Sequence, residues 1–370
     1  MKKVYLVELR TLEPVCVVSK KGKTSFVAGS KYIPASSIVG AVARKIVLNN
    51  INESIGNCKN INSLEKLPDC SNCKEENCPY KRLWVDGDIK LTNAVIGKWI
   101  LSSPGIPDLQ TVCEPRSGDY DKKDQLLFMF LEGMFWKGSV RSDRVEEVRK
   151  IGWKKSSATF DGQSFVDVPT IQLTRVKIEE RLKTSEKEML YGFTAIKDNQ
   201  DFRLAVYCDE DVAKAFEGKI RVGAWKSRGM GLVKLTIAEE FDEDSFITKR
   251  ENEIERGFEK ISEILNVDGF YGTYTYLTAG TEDLKAEKVL KVERRVKSIR
   301  YQRKQDGSHF VLANVAAPGS AGVFEITEQN AETLARLELK KLKHPWFDWV
   351  FFNHPVHYEN SILEVEGDDR

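Results

Sequence analysis

The chain has 370 residues, 41% hydrophobic and 31% charged, with a formal net charge of +1. This length exceeds what one hydrophobic core usually supports, and the composition is globular rather than disordered. A charge so near zero excludes a protein that coats nucleic acid by bulk electrostatics, so any such contact must come from local basic loops. No run approaches the roughly 20 apolar residues of a membrane span. The basic start at Met1–Lys3 meets Glu8 and Arg10 too soon for an export signal, so a cytoplasmic location with no membrane contact is expected.

In chain order, residues 4–18 read as extended, broken around Leu12–Pro14. From Ile38 to Val47 the apolar residues recur at helical spacing, and Ser36 or Ser37 is the expected N-cap. Residues 49–80 lose periodicity and carry four cysteines, and residues 102–125 read as an exposed Pro/Gly-rich loop. A short helix is expected near 143–151 and a polar loop over 154–164. Phe202–Tyr207 alternates as a strand, 211–216 is a short helix, and Leu232–Ile237 is another strand. A helix over about 248–265 opens the second half. Strands near 270–278, 308–315 and 321–326 follow, then a helix over about 328–342 and an aromatic run, Trp346–Phe352, read as a buried strand. The two halves echo one another as strands alternating with two helices. The predicted class is α+β, with two ferredoxin-like (RRM-like) βαββαβ domains over 1–240 and 241–370 and a cysteine-rich insertion over 49–125 in the first.

Four stretches carry chemistry. Gly223-Ala224-Trp225-Lys226-Ser227-Arg228-Gly229-Met230-Gly231 offers backbone N–H groups, two cations and a hydroxyl, which suits phosphodiester oxygens. It has neither Walker spacing nor the following helix of a dinucleotide fingerprint, and a tight turn with solvated charges is the plain alternative. The helix opening at Ile33–Arg44 could receive an anion at its N-terminus, with Gly40 admitting a close backbone; a capped core helix is the alternative. Cys58, Cys70, Cys73 and Cys78, spaced C-x11-C-x2-C-x4-C, suit a closed structural Zn²⁺ site, with Cys113 as a substitute for Cys58. Cys16 and Cys208 read as buried packing residues. Seven cations between Lys291 and Lys304, including Arg294, Arg295, Arg300 and Arg303, surround Tyr301 and could hold phosphates and stack on bases, or form a solvated face.

Two of these stretches resemble motifs of the RAMP superfamily of CRISPR-associated proteins. Ile33–Arg44 is similar to that family's I-P-G-S-S-L-K-G-A-L-R segment, with Ala35 where the family has Gly, and Gly223–Gly231 is similar to its G-x-x-K-S-R-G-x-G loop. Arg175–Phe202 resembles its third block, and Leu312–Phe324 and Phe351–Pro355 resemble segments of large two-domain type III (III-D-like) subunits. Residues 344–350, where a second glycine loop belongs, contain no glycine. The resemblance implies a subunit of a type III effector complex in antiviral defence. Its partners would be the CRISPR RNA (at its 5′ tag region), target RNA indirectly, other RAMP subunits and the large subunit. RNA contact falls to Ser36, Ser37, Arg44, Gly223, Lys226, Ser227, Arg228, Gly229, Gly231, Arg294, Arg295 and Arg300.

All four histidines lie at 309 or beyond, away from that signature, and no Ser-His-Asp, HExxH or paired-carboxylate pattern stands out. A non-catalytic RNA-binding subunit is expected. The rivals are a backbone subunit that cleaves target RNA with a loop aspartate (Asp119, Asp121 or Asp124, with Asp86 and Asp88 further options) and a zinc-stabilised scaffold that contacts only protein.

Overall fold

The computed structural model describes residues 1–21, 26–53, 55, 56, 58, 70, 73, 75, 78–116, 121–137, 143–178, 185–281, 287–303, 309–326, 330–340 and 346–364. It is a mixed α/β structure with several antiparallel sheets. The central strand β1 (Lys2–Thr11) pairs antiparallel on one side with β2 (Asp201–Asp209) and on the other with β4 (Leu232–Asp242). The strand β3 (Gly218–Arg221) extends the sheet beyond β4, and the short pieces Lys90–Leu91 and Val95–Ile96 pair with the far side of β2.

Strand β1 is apolar on both faces because both are covered. Tyr5, Val7 and Leu9 pack with α1 (Ala35–Asn52) through Ile38, Val39, Val42 and Ile46. Val4 and Leu6 pack on the opposite face against Phe246 and Ile247 of α2 (Glu243–Leu265) and against Trp99 and Ile106. Continuous rather than alternating apolarity is what a doubly covered strand requires.

The second half forms a sheet in the order β6 (Glu287–Val292), β7 (Ala321–Glu325), β5 (Tyr271–Tyr276), β8 (Val350–Phe352). Among the described residues no helix joins β5 to β6. Instead α2, which precedes β5, packs beside α3 (Ala331–Leu339). Between β6 and β7 runs a two-stranded ribbon, Arg295–Arg303 with His309–Ala316.

The described residues of 102–125, which are 102–116 and 121–125, do not form an exposed loop. They hold the strands Ile106–Leu109, Val112–Pro115 and Lys123–Asp124, with Ile106, Leu109, Val112 and Cys113 fully buried. The prolines and glycines punctuate turns between short strands rather than marking solvent. Residues 154–164 likewise carry the strand Ala158–Phe160, with Phe160 buried. Leu126–Trp136 forms a helix absent from the sequence reading. None of the described helices is long and apolar enough to cross a membrane.

Buried polar ties hold α2 to α3 within the second half, and Lys90 and Asn93 tie the first half to the second. Arg250 of α2, fully buried, donates to both Glu338 carboxylate oxygens (2.9 and 2.8 Å), to Glu253 (2.6 Å) and to the Phe352 carbonyl (2.9 Å). Its guanidinium lies 3.7 Å from the Phe351 ring centroid, and Glu338 also accepts from the Phe352 N–H. Lys90, from the edge of the first sheet, donates to the carbonyls of Glu338 and Lys340 at the end of α3 (2.8 and 2.9 Å). Asn93 accepts from the Ala35 N–H and donates to the Leu277 carbonyl, so it ties the start of α1 to the second half.

Two outcomes follow for stability. Glu338→Ala strands a buried guanidinium and is expected to cost roughly 3–5 kcal/mol in denaturant unfolding. Burial pushes the Lys90 amine down to about 7, against the attraction of Asp348 and Glu338. Between about pH 7 and pH 10 the unfolded chain therefore holds the extra proton, so this group adds stability as pH rises and loses it as pH falls through 7. The unfolding free energy of wild type minus that of Lys90→Met should rise from pH 7 to pH 10; a constant or falling difference contradicts this.

Candidate nucleic-acid interface

The glycine-rich loop joins β3 to β4 and has a fixed base and an exposed tip. Gly223 (φ +79°) and Gly231 (φ +85°) cannot carry a side chain, because a Cβ would strike the Cys16 and Val222 carbonyls. Gly229 (φ +72°) faces open space, so only its left-handed backbone calls for glycine. Ala224 N–H donates to the Cys16 carbonyl and Gly231 N–H to that of Pro14. Met230 is buried with Cys16, Phe193 and Ala195, and the Trp225 ring lies 3.9 Å from that of Phe193, centroid to centroid. Arg221 donates to both Glu13 carboxylate oxygens (2.6 and 2.9 Å) and to the Met230 carbonyl (2.9 Å). Lys226, Ser227 and Arg228 occupy one 3₁₀ turn, with Ser227 and Arg228 exposed.

Helix α1 begins at Ala35, two residues earlier than a Ser36 cap would allow. Pro34 is the N-cap, its carbonyl accepting from Ser37 N–H at 2.9 Å, and neither Ser36 nor Ser37 caps the helix. Proline presets an extended backbone at that point without any side-chain bond. Gly40 admits not a backbone but the Trp84 indole, 3.9 Å from where a Cβ would stand; that ring stacks on Trp346 at 5.6 Å. Ser36, Gly40 and Arg44, four apart, share a partly open stripe of the helix. Burial lowers the Lys226 ammonium below its usual range, and the positive charge of Arg44 lowers it further. The loop and the helix thus bring two like charges together, and among the described residues neither is ion-paired. A bound anion would relieve the repulsion.

The basic run divides. Lys291 lies in β6, and Arg295–Arg303 form one strand of the ribbon. Arg294 stands 3.5 Å from Asp108, and Arg295 is 2.7 Å from Glu293 and donates to the Asn314 carbonyl. These two cations are therefore partly spent on carboxylates, whereas Lys297 is exposed. The Arg300 and Arg303 side chains and all of Lys304 lie outside the described residues. Arg294 reaches the start of α1: Tyr32, whose hydroxyl burial and then Asp108 push up to about 12, also feels the opposing charge of Arg294.

The cysteines of the insertion gather at the C-terminal end of α1. The buried Asn50 amide donates to the sulfurs of Cys58 (3.7 Å) and Cys78 (3.4 Å). Cys73 N–H donates to the Cys70 carbonyl, and Gly56 leaves room beside the Cys73 sulfur. All four cysteines are described, and among the described residues no three metal-ligating groups stand together so as to hold a metal ion. Cys113 is elsewhere: it packs with Leu126, Leu127 and Val145 and donates to the Lys123 carbonyl, so it is no substitute for Cys58. Cys16 and Cys208 are buried packing residues.

Of the aspartates, Asp119 lies outside the described residues. Asp121 and Asp86 are exposed, and Asp88 pairs with Lys2. Asp124 is not in a mobile loop. It is fully buried, accepts from Thr111 and the Leu126 N–H, and bonds His357 Nδ1 at 3.1 Å, whose Nε2 is 2.7 Å from Thr275 Oγ1. This Asp-His-Thr chain has no solvent access and acts as a tie between the strand Lys123–Asp124 and β5. Sequence reasoning missed it because its members lie up to 233 residues apart.

One zinc ion per chain is the expected metal content of purified protein. Cys73→Ser with Cys78→Ser should abolish it and lower the melting temperature by several degrees; equal metal content in the double variant contradicts the cysteine assignment.

No family profile matches the sequence, and no curated protein matches it. Among solved structures, a chain of the Type III-B Cmr-beta complex bound to cognate target RNA and AMPPnP is 11% identical, with 86% of each chain covered and a TM-score of 0.39. A chain of a Type IV-B CRISPR complex is 11% identical over 64% of this chain and 90% of its own, with a TM-score of 0.31. Oligomeric Cmr4 from Pyrococcus furiosus is 14% identical over 64% of this chain and 98% of its own, with a TM-score of 0.27. At low identity, the chain is similar to subunits of type III and type IV CRISPR complexes.

Proposed function

We propose that this chain is a RAMP-superfamily, non-catalytic, RNA-binding subunit of a type III CRISPR effector complex. It holds the sugar–phosphate edge of the CRISPR RNA, at its 5′ tag region, between the glycine loop and α1. The observation that carries the reading is that half-buried Lys226 feels the positive charge of Arg44, so the loop and the helix share one electropositive neighbourhood. The two family-like motifs lie some 180 residues apart in sequence, yet the charge of Arg44 acts on Lys226. A phosphodiester there satisfies both charges, with Ser227 and the loop N–H groups as further donors.

The same reading takes each half as a ferredoxin-like unit. In support, the first sheet runs last strand, first strand, third strand, second strand, with Lys90–Leu91 as the second. The second sheet has the same relative order, β8-β5-β7-β6. An open ferredoxin-like sheet can stack bases on its helix-free face. Here α2 covers that face, which leaves the loop and helix edge for RNA. The ribbon, through Lys297 and its neighbours, extends the positive path, and the cysteines hold a structural zinc. Neighbouring RAMP subunits and the large subunit are the protein partners.

Lys226→Ala with Arg228→Ala should weaken RNA binding by the assembled complex. The slope of log K against log salt should fall by about 1.4, the loss of two single-strand phosphate contacts. Unchanged affinity and slope would instead favour a scaffold that touches only protein.

A further inference from the structure

We propose that a cavity at the seam of the two halves binds a single guanine base, with Glu359 reading its N–H donors, Arg256 its acceptors and the Tyr358 hydroxyl turned toward it from the floor. This goes beyond the backbone grip proposed above and sits on other elements. The cavity measures about 270 Å³ and lies between α2, the residues after β8 and the turn at Ser102–Ser103. That is below the roughly 300 Å³ at which ordinary ligand cavities begin, so it suits a single base better than a whole nucleotide. Its walls are fixed. The Ser103 hydroxyl donates to the Gly162 carbonyl at 2.8 Å, and His354 Nε2 stands 2.8 Å from the Pro104 carbonyl. Asn353 donates to the Ile254 carbonyl and accepts from the Thr273 N–H, and Gly257 gives it room on α2. A preformed cavity binds without the entropic cost of ordering its walls.

Polar groups in this cavity lack protein partners. Tyr358 is 6% exposed, yet among the described residues its hydroxyl makes no hydrogen bond. Burial pushes that phenol up to about 12, and the charges it then feels are Glu359, Arg250, Arg256 and Glu253. All four line the cavity, so the hydroxyl points into it. Arg250 and Glu253 already pair at 2.6 Å. Arg256 and Glu359, both exposed at the rim, pair neither with each other nor with any other described residue. The wall therefore offers an unpaired guanidinium, an unpaired carboxylate and the Tyr358 hydroxyl, and its two arginines and two glutamates cancel in charge. A ligand without net charge is the match. Of the four RNA bases, only guanine sets two N–H donors (N1 and N2) side by side for a carboxylate and two acceptors (O6 and N7) side by side for a guanidinium. Adenine, cytosine and uracil each set an acceptor beside the donor on their pairing edge, and a carboxylate repels it.

The base can come from a free guanine nucleotide or from a nucleotide swung out of an RNA strand. The full chain is titrated with guanosine, inosine, adenosine and cytidine, nucleosides that carry no phosphate to compete for Arg256. Guanosine should bind, and inosine, which lacks the N2 amino group, should bind about 10- to 100-fold more weakly, the loss of a hydrogen bond to a charged group. Glu359→Ala and Arg256→Ala, both at exposed positions, should each weaken guanosine about 10-fold or more. Tyr358→Phe, which keeps the packing, should weaken it about 2- to 10-fold. Absence of guanosine binding at millimolar concentration overturns the proposal. So does equal binding of all four nucleosides by wild type, or unchanged affinity in the three variants. The source is read in the assembled complex, with 6-thioguanosine placed in the CRISPR RNA and irradiated. A crosslink to residues 353–359 assigns the base to the RNA strand; guanosine binding without such a crosslink assigns it to a free nucleotide. The titration needs no RNA grip at the glycine loop, so its failure and the failure of the RNA reading are separate results.

Discussion

The constraint on which the rest depends is that β1 is covered on both faces. Packing α1 on one side is ordinary for a sheet with crossover helices. Packing α2 on the other is fixed by the Arg250–Glu338 pair, which holds α2 to α3, and by two ties between the halves: Lys90 on the end of α3, and Asn93 between α1 and Leu277. A buried guanidinium with four acceptors is satisfied in one geometry only, so these contacts specify an arrangement more than they add net stability. Lys90 shows the same economy. Its neutral amine has two N–H bonds, matching the two carbonyls it meets, so the group remains satisfied when burial removes its charge.

For the proposed RNA contact, that constraint limits where a strand can lie. With the broad sheet face filled by Phe246, Ile247 and Trp99, the remaining places for a strand of nucleic acid are edges and loops. The glycine loop is suited to such work because its base is rigid and its tip is not packed. Glu13 and Arg221 fix the base, Met230 and Trp225 anchor it in apolar contacts, and Ser227 to Gly229 stand in solvent. A preorganised loop loses little conformational entropy on binding. The net charge of +1 is consistent with this economy, since the cations that matter are few and placed.

Much of the fold was legible in the sequence where period and punctuation were strong. The strand over Phe202–Tyr207, the short helix after it and the helix ending at Leu265 all lie where their patterns put them. Short strands framed by Pro and Gly were not legible, and Ile106–Leu109 and Val112–Pro115 read as loop because four residues carry too little periodicity. Leu126–Trp136 escaped for the opposite reason. It is apolar nearly all round, so no moment distinguishes it from a buried strand. At the interface the residue types were visible, but not their neighbours. That Arg294 faces Asp108, that Gly40 serves Trp84, and that Asp124 sits under His357 are tertiary facts with no local signal.

The most direct measurement places a photo-crosslinking residue at Ser227 in the assembled complex and asks what it captures. The account predicts a crosslink to the CRISPR RNA, and a second one from position 44 to the same nucleotides or their immediate neighbours. Crosslinks from both positions to protein alone would contradict it.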